Sequence, residues 1–238
     1  MFDKVFWSFL SCVEAFKDCK PFVSVDSTHL YGRYGGVLLI TVAQDGNSNI
    51  LLIAFAIVES ESIESWSFFL TNLRHHVTPQ DGLLVISDKF QAIKAALSSD
   101  DSGWHPPRAY HAYCIRHMAA NFMTRFNSVE GKMYLINVAY NPSKADYEWY
   151  MDALGGVSPT MVDWSGHFRN EIWLQHCDSG CRFGHTTNLS ECINAVLKGT
   201  QYLSISAIVR ITYESLQKLF VTKDREAQSQ LAAGCRFS

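Results

Sequence analysis

Two aspartates each follow a short apolar run that is typical of a buried strand. The runs cover residues 21–26 and 83–88, and they end on Asp26 and Asp88. A third acid, Glu191, lies at the start of a predicted helix. Acids at the carboxyl ends of parallel strands meet at one edge of an open α/β sheet, where such sheets build their sites. We therefore hypothesise that these three carboxylates converge.

Three converging carboxylates repel one another unless a cation neutralises them. Oxygen ligands of this kind suit Mg²⁺ or Mn²⁺. Two such ions roughly 3.5–4 Å apart activate a water or hydroxyl and stabilise the leaving oxygen in phosphodiester cleavage. Asp26, Asp88 and Glu191 are thus candidate catalytic residues and metal ligands, and the predicted cofactor is a pair of Mg²⁺ or Mn²⁺ ions.

Each acid also has an ordinary structural interpretation. Asp26 could accept a hydrogen bond from a backbone amide at a strand end, and Asp88 could cap a helix that begins at Lys89. Glu191 could be a first-turn acid that the helix dipole stabilises. Taken singly, the structural role is favoured for Asp88 and Glu191 and is as good as the catalytic one for Asp26. The catalytic interpretation depends on their joint occurrence.

The elements that must position these acids follow from the hydrophobic pattern. The order is three strands, helix, strand, helix, strand and then helices, which predicts an α/β fold with a mixed central sheet. The first three strands are predicted at 21–26, 35–43 and 50–58, with a hairpin turn at Asp45-Gly46-Asn47. Helical spacing covers 2–19, 60–76 (capped by Glu61 or Ser62), 90–97, 115–126, most of 131–173, 189–197 and 205–233.

Composition narrows the class of protein. The chain has 238 residues, of which 47% are hydrophobic and 18% charged, so it can form a sizeable core. Its net charge of −3 is a poor match to a stand-alone DNA-binding module, which carries a basic excess. Seven irregularly spaced cysteines argue against a disulfide framework and for a reducing compartment. Residues 1–20 lack the features of a signal peptide, and no apolar run is long enough to span a membrane.

An ordered series of blocks resembles one known family. The blocks are Val25-Asp-Ser-Thr-His-Leu30, Tyr34-Gly-Gly-Val-Leu-Leu39, Gln44-Asp-Gly-Asn47, Ala54-Phe-Ala-Ile-Val-Glu-Ser60, Glu64-Ser-Trp-Ser-Phe-Phe-Leu70, Ile86-Ser-Asp-Lys89, Tyr113-Cys-Ile-Arg-His-Met-Ala-Ala-Asn-Phe122 and Thr187-Asn-Leu-Ser-Glu-Cys-Ile-Asn194. They resemble the Mutator-like element (MULE) transposase domain, whose relatives include domesticated plant transcription factors of the far-red-response type.

The resemblance implies a ribonuclease H-like fold with a helical insertion between the second and third acids. It implies Asp26, Asp88 and Glu191 as those acids, in that order. The implied activity is cutting DNA at element ends and joining the freed 3′ hydroxyl to target DNA, by a homo-oligomer in the nucleus. The expected layout is an N-terminal helix (1–20), the first part of the core (21–127), the insertion (128–186) and C-terminal helices that complete the core (187–238).

Other functions stay open at this point. The rival hypothesis is a domesticated, non-catalytic transcriptional regulator that keeps the fold and the acids. A ribonuclease H-like nuclease acting on RNA–DNA hybrids is a third, against which the insertion and the Cys-x-x-His block argue. The zinc modules that usually flank such domains are not visible, and 198–210 lacks the expected arginine-and-proline pattern. We therefore expect a fragment or a decayed copy.

Cys114 and His117 form the Cys-x-x-His pair, which could be half of a zinc site. The other half would come from His176, Cys177, Cys181 or His185. We favour a buried thiol for Cys114, do not expect zinc, and name His117 as a catalytic candidate that touches the scissile phosphate or orients an acid.

Basic and aromatic residues are weaker candidates for DNA contact. A solvated face is the favoured interpretation of the basic residues and loop packing that of the tryptophans. The residues are Arg108, Arg116, Arg125 and Lys132, together with Trp104 and Trp164.

Overall fold

A computed structural model describes residues 3–32, 35–177, 199 and 201–232. Its centre is a six-stranded sheet in the order β1-β4-β3-β2-β5-β6. The strands are β1 (Lys4–Trp7), β2 (Cys19–Leu30), β3 (Gly36–Asp45), β4 (Ile50–Val58), β5 (Leu83–Ser87) and β6 (Ala109–Tyr113).

The sheet is mixed, as the sequence predicted. Strands β1, β4, β3 and β2 are antiparallel neighbours, whereas β2, β5 and β6 run parallel. The predicted β3–β4 hairpin is confirmed, and Oδ1 of Asp45 accepts a 2.7 Å hydrogen bond from the amide of Asn49 across its turn. Residues 37–43 and 51–58 are buried throughout, which explains why β3 and β4 are apolar on both faces.

Eight helices of the described residues pack around this sheet or beside it. They are α1 (Leu10–Phe16), α2 (Ile63–His76), α3 (Gln91–Leu97), α4 (Ile115–Phe126), α5 (Val129–Tyr140), α6 (Lys144–Val157), α7 (Pro159–Gly166) and α8 (Ile205–Ala232). Ser62 is the N-cap of α2, because its hydroxyl accepts a hydrogen bond from the amide of Ser65. No helix of the described part of the chain is long and apolar enough to cross a membrane.

The helical spacing over 2–19 gives a shorter helix than expected. Lys4–Trp7 form an edge strand, paired antiparallel with Val58–Phe55 of β4, and the helix covers only Leu10–Phe16. The free edge of β4 offers backbone hydrogen bonds to this segment, and tertiary pairing overrides the local periodicity.

Two hydrophobic cores organise the described chain. The first joins the sheet to α1, α2, α3 and part of α8. The second lies among α4, α5, α6 and α7 and contains Phe122, Leu154 and Trp164. Trp164 is therefore a buried helical residue rather than the loop residue we expected. The mostly helical character predicted for 131–173 is confirmed, while its role as an insertion between two acids stays a prediction.

Candidate functional site

Asp26 and Asp88 occupy equivalent positions on neighbouring parallel strands. The last paired residues of β2 and β5 are Ser24 and Ile86, and each aspartate lies two residues further along its chain. Side chains two residues apart in a strand share a face of the sheet, so Asp26 lies on the same face of β2 as Ser24. Asp88 comes directly after β5, whereas β2 continues to Leu30. The sequence predicts a strand end at Asp26, and this prediction is wrong. Asp26 lies inside β2, where it pairs with Ile40 of β3.

One oxygen of each carboxylate is held by a backbone amide. Oδ1 of Asp26 accepts from the amide of Ser27 at 2.8 Å, and Oδ1 of Asp88 accepts from the amide of Phe90 at 2.9 Å. The structural interpretation is thus confirmed for Asp26. For Asp88 it is wrong, because α3 begins at Gln91 and its N-cap residue is Phe90. Neither of these two contacts uses the Oδ2 atoms.

His117 lies beside the Oδ2 atom of Asp26. Its Nε2 is 3.8 Å from that oxygen, because α4 starts at Ile115 and brings its first turn against β2. A polar contact with the Cys114 thiol and the charges of Asp26 and Asp88 raise the pKa of His117 to about 9, although burial opposes this rise. Nδ1 of His117 is buried without a regular hydrogen bond in the described part of the protein. The imidazole is therefore positively charged at neutral pH.

The pKa of Asp26 is raised, and the surroundings explain why. Burial is the largest cause, and the negative charges of Asp88 and Glu61 add to it. The imidazole of His117 and the amide of Ser27 oppose the rise. A metal ion at this carboxylate would remove most of the penalty, since it supplies the missing positive charge.

Glu61 is a nearby acid whose role the sequence did not reveal. Its Oε1 accepts hydrogen bonds from the hydroxyl of Ser27 at 3.0 Å and from Nε1 of Trp66 at 3.2 Å. It stands in the turn before α2, where we considered it only as a possible cap. No signal in the local pattern connects this turn with β2, because the contact is made only by the tertiary fold.

The donor set at Asp26 and Asp88 fits a divalent metal in part. Two carboxylates supply the oxygen chemistry that Mg²⁺ and Mn²⁺ prefer. Across the described residues, however, no three His, Cys, Asp or Glu side chains form a group able to hold a metal ion. Glu191 lies outside the described residues, as do Cys181 and His185. The convergence of the three acids therefore stays a prediction.

Several weaker candidates for DNA or zinc binding lie away from these acids or already contact other protein groups. Arg108 precedes β6 at the opposite end of the parallel strands from Asp88, so it does not share a strip with residues near the acids. Trp104 is buried, and its Nε1 donates to the carbonyl of Leu70. Both tryptophans thus pack internally. His176 contacts Cys177 at 3.2 Å and packs against the ring of Tyr147.

Lys89 connects the acid-bearing edge, by which we mean the sheet edge beside Asp26 and Asp88, with the second hydrophobic core among α4 to α7. Its Nζ lies 5.0 Å from the ring centroid of Trp164 and 5.2 Å from that of Phe168. Burial and the nearby charge of Arg125 lower the pKa of Lys89. Lys89 therefore links the segment between Asp88 and α3 to Trp164 of α7.

Comparison with known proteins supports a specific family. No curated protein matches the chain. A family model, the MULE transposase domain, matches residues 22–121, a segment that contains Asp26, Asp88 and His117 and ends before Glu191. A transposase domain implies interaction with DNA. The resemblance seen in the sequence is therefore confirmed for residues 22–121, which match the MULE transposase domain.

Proposed function

We propose that this chain is the metal-dependent catalytic core of a DNA transposase with a ribonuclease H-like fold. It would cut DNA at element ends and join the freed 3′ hydroxyl to target DNA. The observation that carries the proposal is the equivalent placement of Asp26 and Asp88, two residues beyond a parallel pair, inside a segment that matches a transposase domain. The mixed sheet, in which four antiparallel strands (β1 to β4) precede two strands parallel to β2, supports the fold.

Asp26, Asp88 and Glu191 would hold two Mg²⁺ or Mn²⁺ ions. Bound there, the ions supply positive charge for phosphodiester cleavage. The chain's own contribution is orientation. The amides of Ser27 and Phe90 fix one oxygen of each aspartate, so the other oxygen of each has a restricted direction. Ligands held in this way need little rearrangement when the cation arrives.

His117 would act on the DNA rather than on the metal. Contact with the Cys114 thiol raises the pKa of His117 and so favours the protonated ring, which donates to anions and does not bind a metal ion. Nε2 of the ring lies 3.8 Å from Oδ2 of Asp26. With DNA bound, we expect its Nε2–H to donate to an oxygen of the scissile phosphate, which carries the same charge sign as the aspartate.

The remaining partners are proposals of the same kind. DNA is the partner that the domain implies, and Lys89 and Arg125 lie near each other beside the acid-bearing edge. The net charge of −3 makes a local basic patch more important for DNA affinity than the overall charge. A nuclear location and a homo-oligomer on DNA follow from the family resemblance.

The test measures metal binding and DNA nicking by the full chain. Mn²⁺ affinity is measured by calorimetry, and nicking by conversion of supercoiled plasmid with Mn²⁺ or Mg²⁺. Asp26→Asn and Asp88→Asn should each abolish nicking and weaken Mn²⁺ binding. Asp152→Asn, which changes an exposed acid of α6, is the matched control and should leave both unchanged. DNA binding without any Mn²⁺-dependent nicking in the unaltered chain would favour a non-catalytic regulator.

A further inference from the structure

A chain of hydrogen bonds runs from β6 to the backbone of Asp88. The hydroxyl of Ser87, whose side chain is fully buried, lies 2.7 Å from the carbonyl oxygen of Asp88. The same Oγ lies 2.9 Å from Nε2 of His111. The imidazole of His111 in β6 is thus joined, through the hydroxyl of Ser87, to the backbone of Asp88, which follows the neighbouring strand β5.

The direction of these bonds follows from the single proton of a hydroxyl. Ser87 must donate to the Asp88 carbonyl, because a carbonyl only accepts. Its Oγ then accepts from His111, so Nε2 of His111 carries the hydrogen. The protein atoms around His111, and then the charge of Lys94, lower the pKa of its ring to about 4. At neutral pH the ring is therefore uncharged, with Nε2–H as the hydrogen-bond donor.

The ring of His111 is itself held in place. The backbone of His111 pairs with Val85 of β5, two residues before the Ser87–Tyr113 pair. The ring of Tyr113 packs edge-on against the imidazole, with centroids 5.4 Å apart. The Nε2–H donor of His111 therefore belongs to a residue of a paired strand, and its ring is packed against an aromatic neighbour.

Asp88 needs such support because it lies beyond the last paired residue of β5. The carbonyl of Ser87 still accepts from the amide of Cys114 at 2.7 Å, but the described β5–β6 register ends at the Ser87–Tyr113 pair. The Ser87 hydroxyl binds the next carbonyl along the chain, that of Asp88. Together with the Phe90 amide on Oδ1, it fixes the aspartate at its backbone and at its side chain.

We propose that His111 is a positioning residue that acts through Ser87 to fix the backbone of Asp88 and hence the direction of its carboxylate. The inference rests on the proposed function in one respect, namely that Asp88 holds a metal ion. Partners of this kind typically change metal affinity by about 10- to 100-fold when removed.

The first test uses Mn²⁺ alone as the probe. His111→Leu and Ser87→Ala should each weaken Mn²⁺ binding by about tenfold or more, since either breaks the relay. The double variant should bind no more weakly than the weaker single variant, because both remove the same restraint. His111→Gln keeps an N–H donor at a similar reach and should recover most of the affinity.

The second test needs no metal. Exchange of the Phe90 amide, measured by NMR in the metal-free chain, reports whether Oδ1 of Asp88 stays in place. The Asn49 amide, which donates to Oδ1 of Asp45 in the distant hairpin, is a matched control for general loosening. His111→Leu should accelerate exchange at Phe90 and leave Asn49 unchanged, and His111→Gln should restore the slow exchange.

The outcomes separate this inference from the proposed function. If Asp88→Asn abolishes Mn²⁺ binding while His111→Leu binds as the unaltered chain does, the positioning role is wrong and the metal site stands. If the unaltered chain binds no Mn²⁺, the proposed function is contradicted, and the Phe90 exchange alone decides whether His111 positions Asp88. Equal acceleration at Phe90 and Asn49 would reduce His111 to a general structural residue.

Discussion

Nε2 of His117 lies 3.8 Å from Oδ2 of Asp26, and this pair joins the first turn of α4 to β2. The contact places a charged imidazole beside a carboxylate whose pKa burial raises. The ring partly neutralises the acid, and in the proposed function a phosphate takes the acid's place as its partner.

Replacing His117 by glutamine should slow DNA nicking without preventing metal binding. Glutamine keeps an N–H donor but loses the positive charge, so the rate should fall, though by less than the about 10²–10³-fold that loss of a positioned donor costs. Mn²⁺ affinity should not fall, because the ring is not a proposed ligand and its positive charge opposes a cation at Oδ2 of Asp26. His75→Gln, at an exposed position of α2, is the control and should nick at the unaltered rate. An equal loss of nicking and Mn²⁺ affinity in His117→Gln would instead assign the ring to the metal.

Acid should destabilise the fold through His111. Its pKa is about 4 in the folded chain and 6.5 in the unfolded chain, so only the unfolded chain takes up a proton between these values. The stability that a neutral His111 contributes is complete above pH 6.5 and is lost as pH falls toward 4. At about 1.4 kcal/mol per pKa unit, the full loss is at most about 3–4 kcal/mol.

The measurement for His111 is the free energy of unfolding in urea at several pH values. The difference between the unaltered chain and His111→Gln cancels the titration of all other groups. That difference should move in favour of the glutamine variant as the pH falls. If the difference in the free energy of unfolding did not change with pH, the His111 ring would be protonated equally in the folded and unfolded chains, and the prediction would be wrong.

Gly131 and Gly156 should respond in opposite ways to alanine. A Cβ at Gly131 in α5 would lie 2.8 Å from Sδ of Met161 and 3.0 Å from Cζ of Phe122, inside the second core. Overpacking of this kind costs about 1–3 kcal/mol. A Cβ at Gly156 in α6 meets no atom within 4 Å, so alanine there should stabilise the helix by about 0.5–1 kcal/mol. The free energy of unfolding of Gly131→Ala and Gly156→Ala, measured in urea, checks this prediction. Equal changes in the two variants would contradict the described packing of α5.

Lys89 should stabilise the contact between the acid-bearing edge and α7. Its ammonium lies over the rings of Trp164 and Phe168, and such a contact contributes about 0.5–2 kcal/mol. Lys89→Met keeps the length of the side chain and removes the charge, so it should lower the free energy of unfolding by that amount. Lys144→Met removes an exposed lysine that pairs with Glu148 at 3.8 Å, and the loss there should stay below about 0.5 kcal/mol. A smaller loss for Lys89 than for Lys144 would contradict the prediction.

The sequence predicted those parts of the fold that local signals specify. Continuous apolar runs predicted β3, β4 and β5, Asp45-Gly46-Asn47 predicted the hairpin, and Ser62 was one of two caps considered for α2. The strand at Lys4–Trp7 was not predicted, because its pairing depends on a free edge more than forty residues away. Local periodicity contains no information about such an edge.

The site was predicted to a similar extent. Asp26, Asp88 and His117 lie together, and family resemblance had indicated each of them. Glu61 and the His111–Ser87 relay were missed, since both depend on contacts between segments distant in sequence. The third acid, Glu191, falls outside the described residues, so its placement stays a prediction.

The central claim is that Asp26, Asp88 and Glu191 meet around divalent cations. Fe²⁺ can replace Mg²⁺ or Mn²⁺ at oxygen ligands, and with ascorbate and hydrogen peroxide it generates radicals that cut the backbone next to the bound ion. Mass spectrometry of the full chain after this treatment identifies the cut positions. The account predicts cuts near Asp26, near Asp88 and within 187–194, all suppressed by excess Mg²⁺ and absent in Asp26→Asn. Cuts near the two aspartates with none in 187–194, or no metal-dependent cuts at either aspartate, would contradict it.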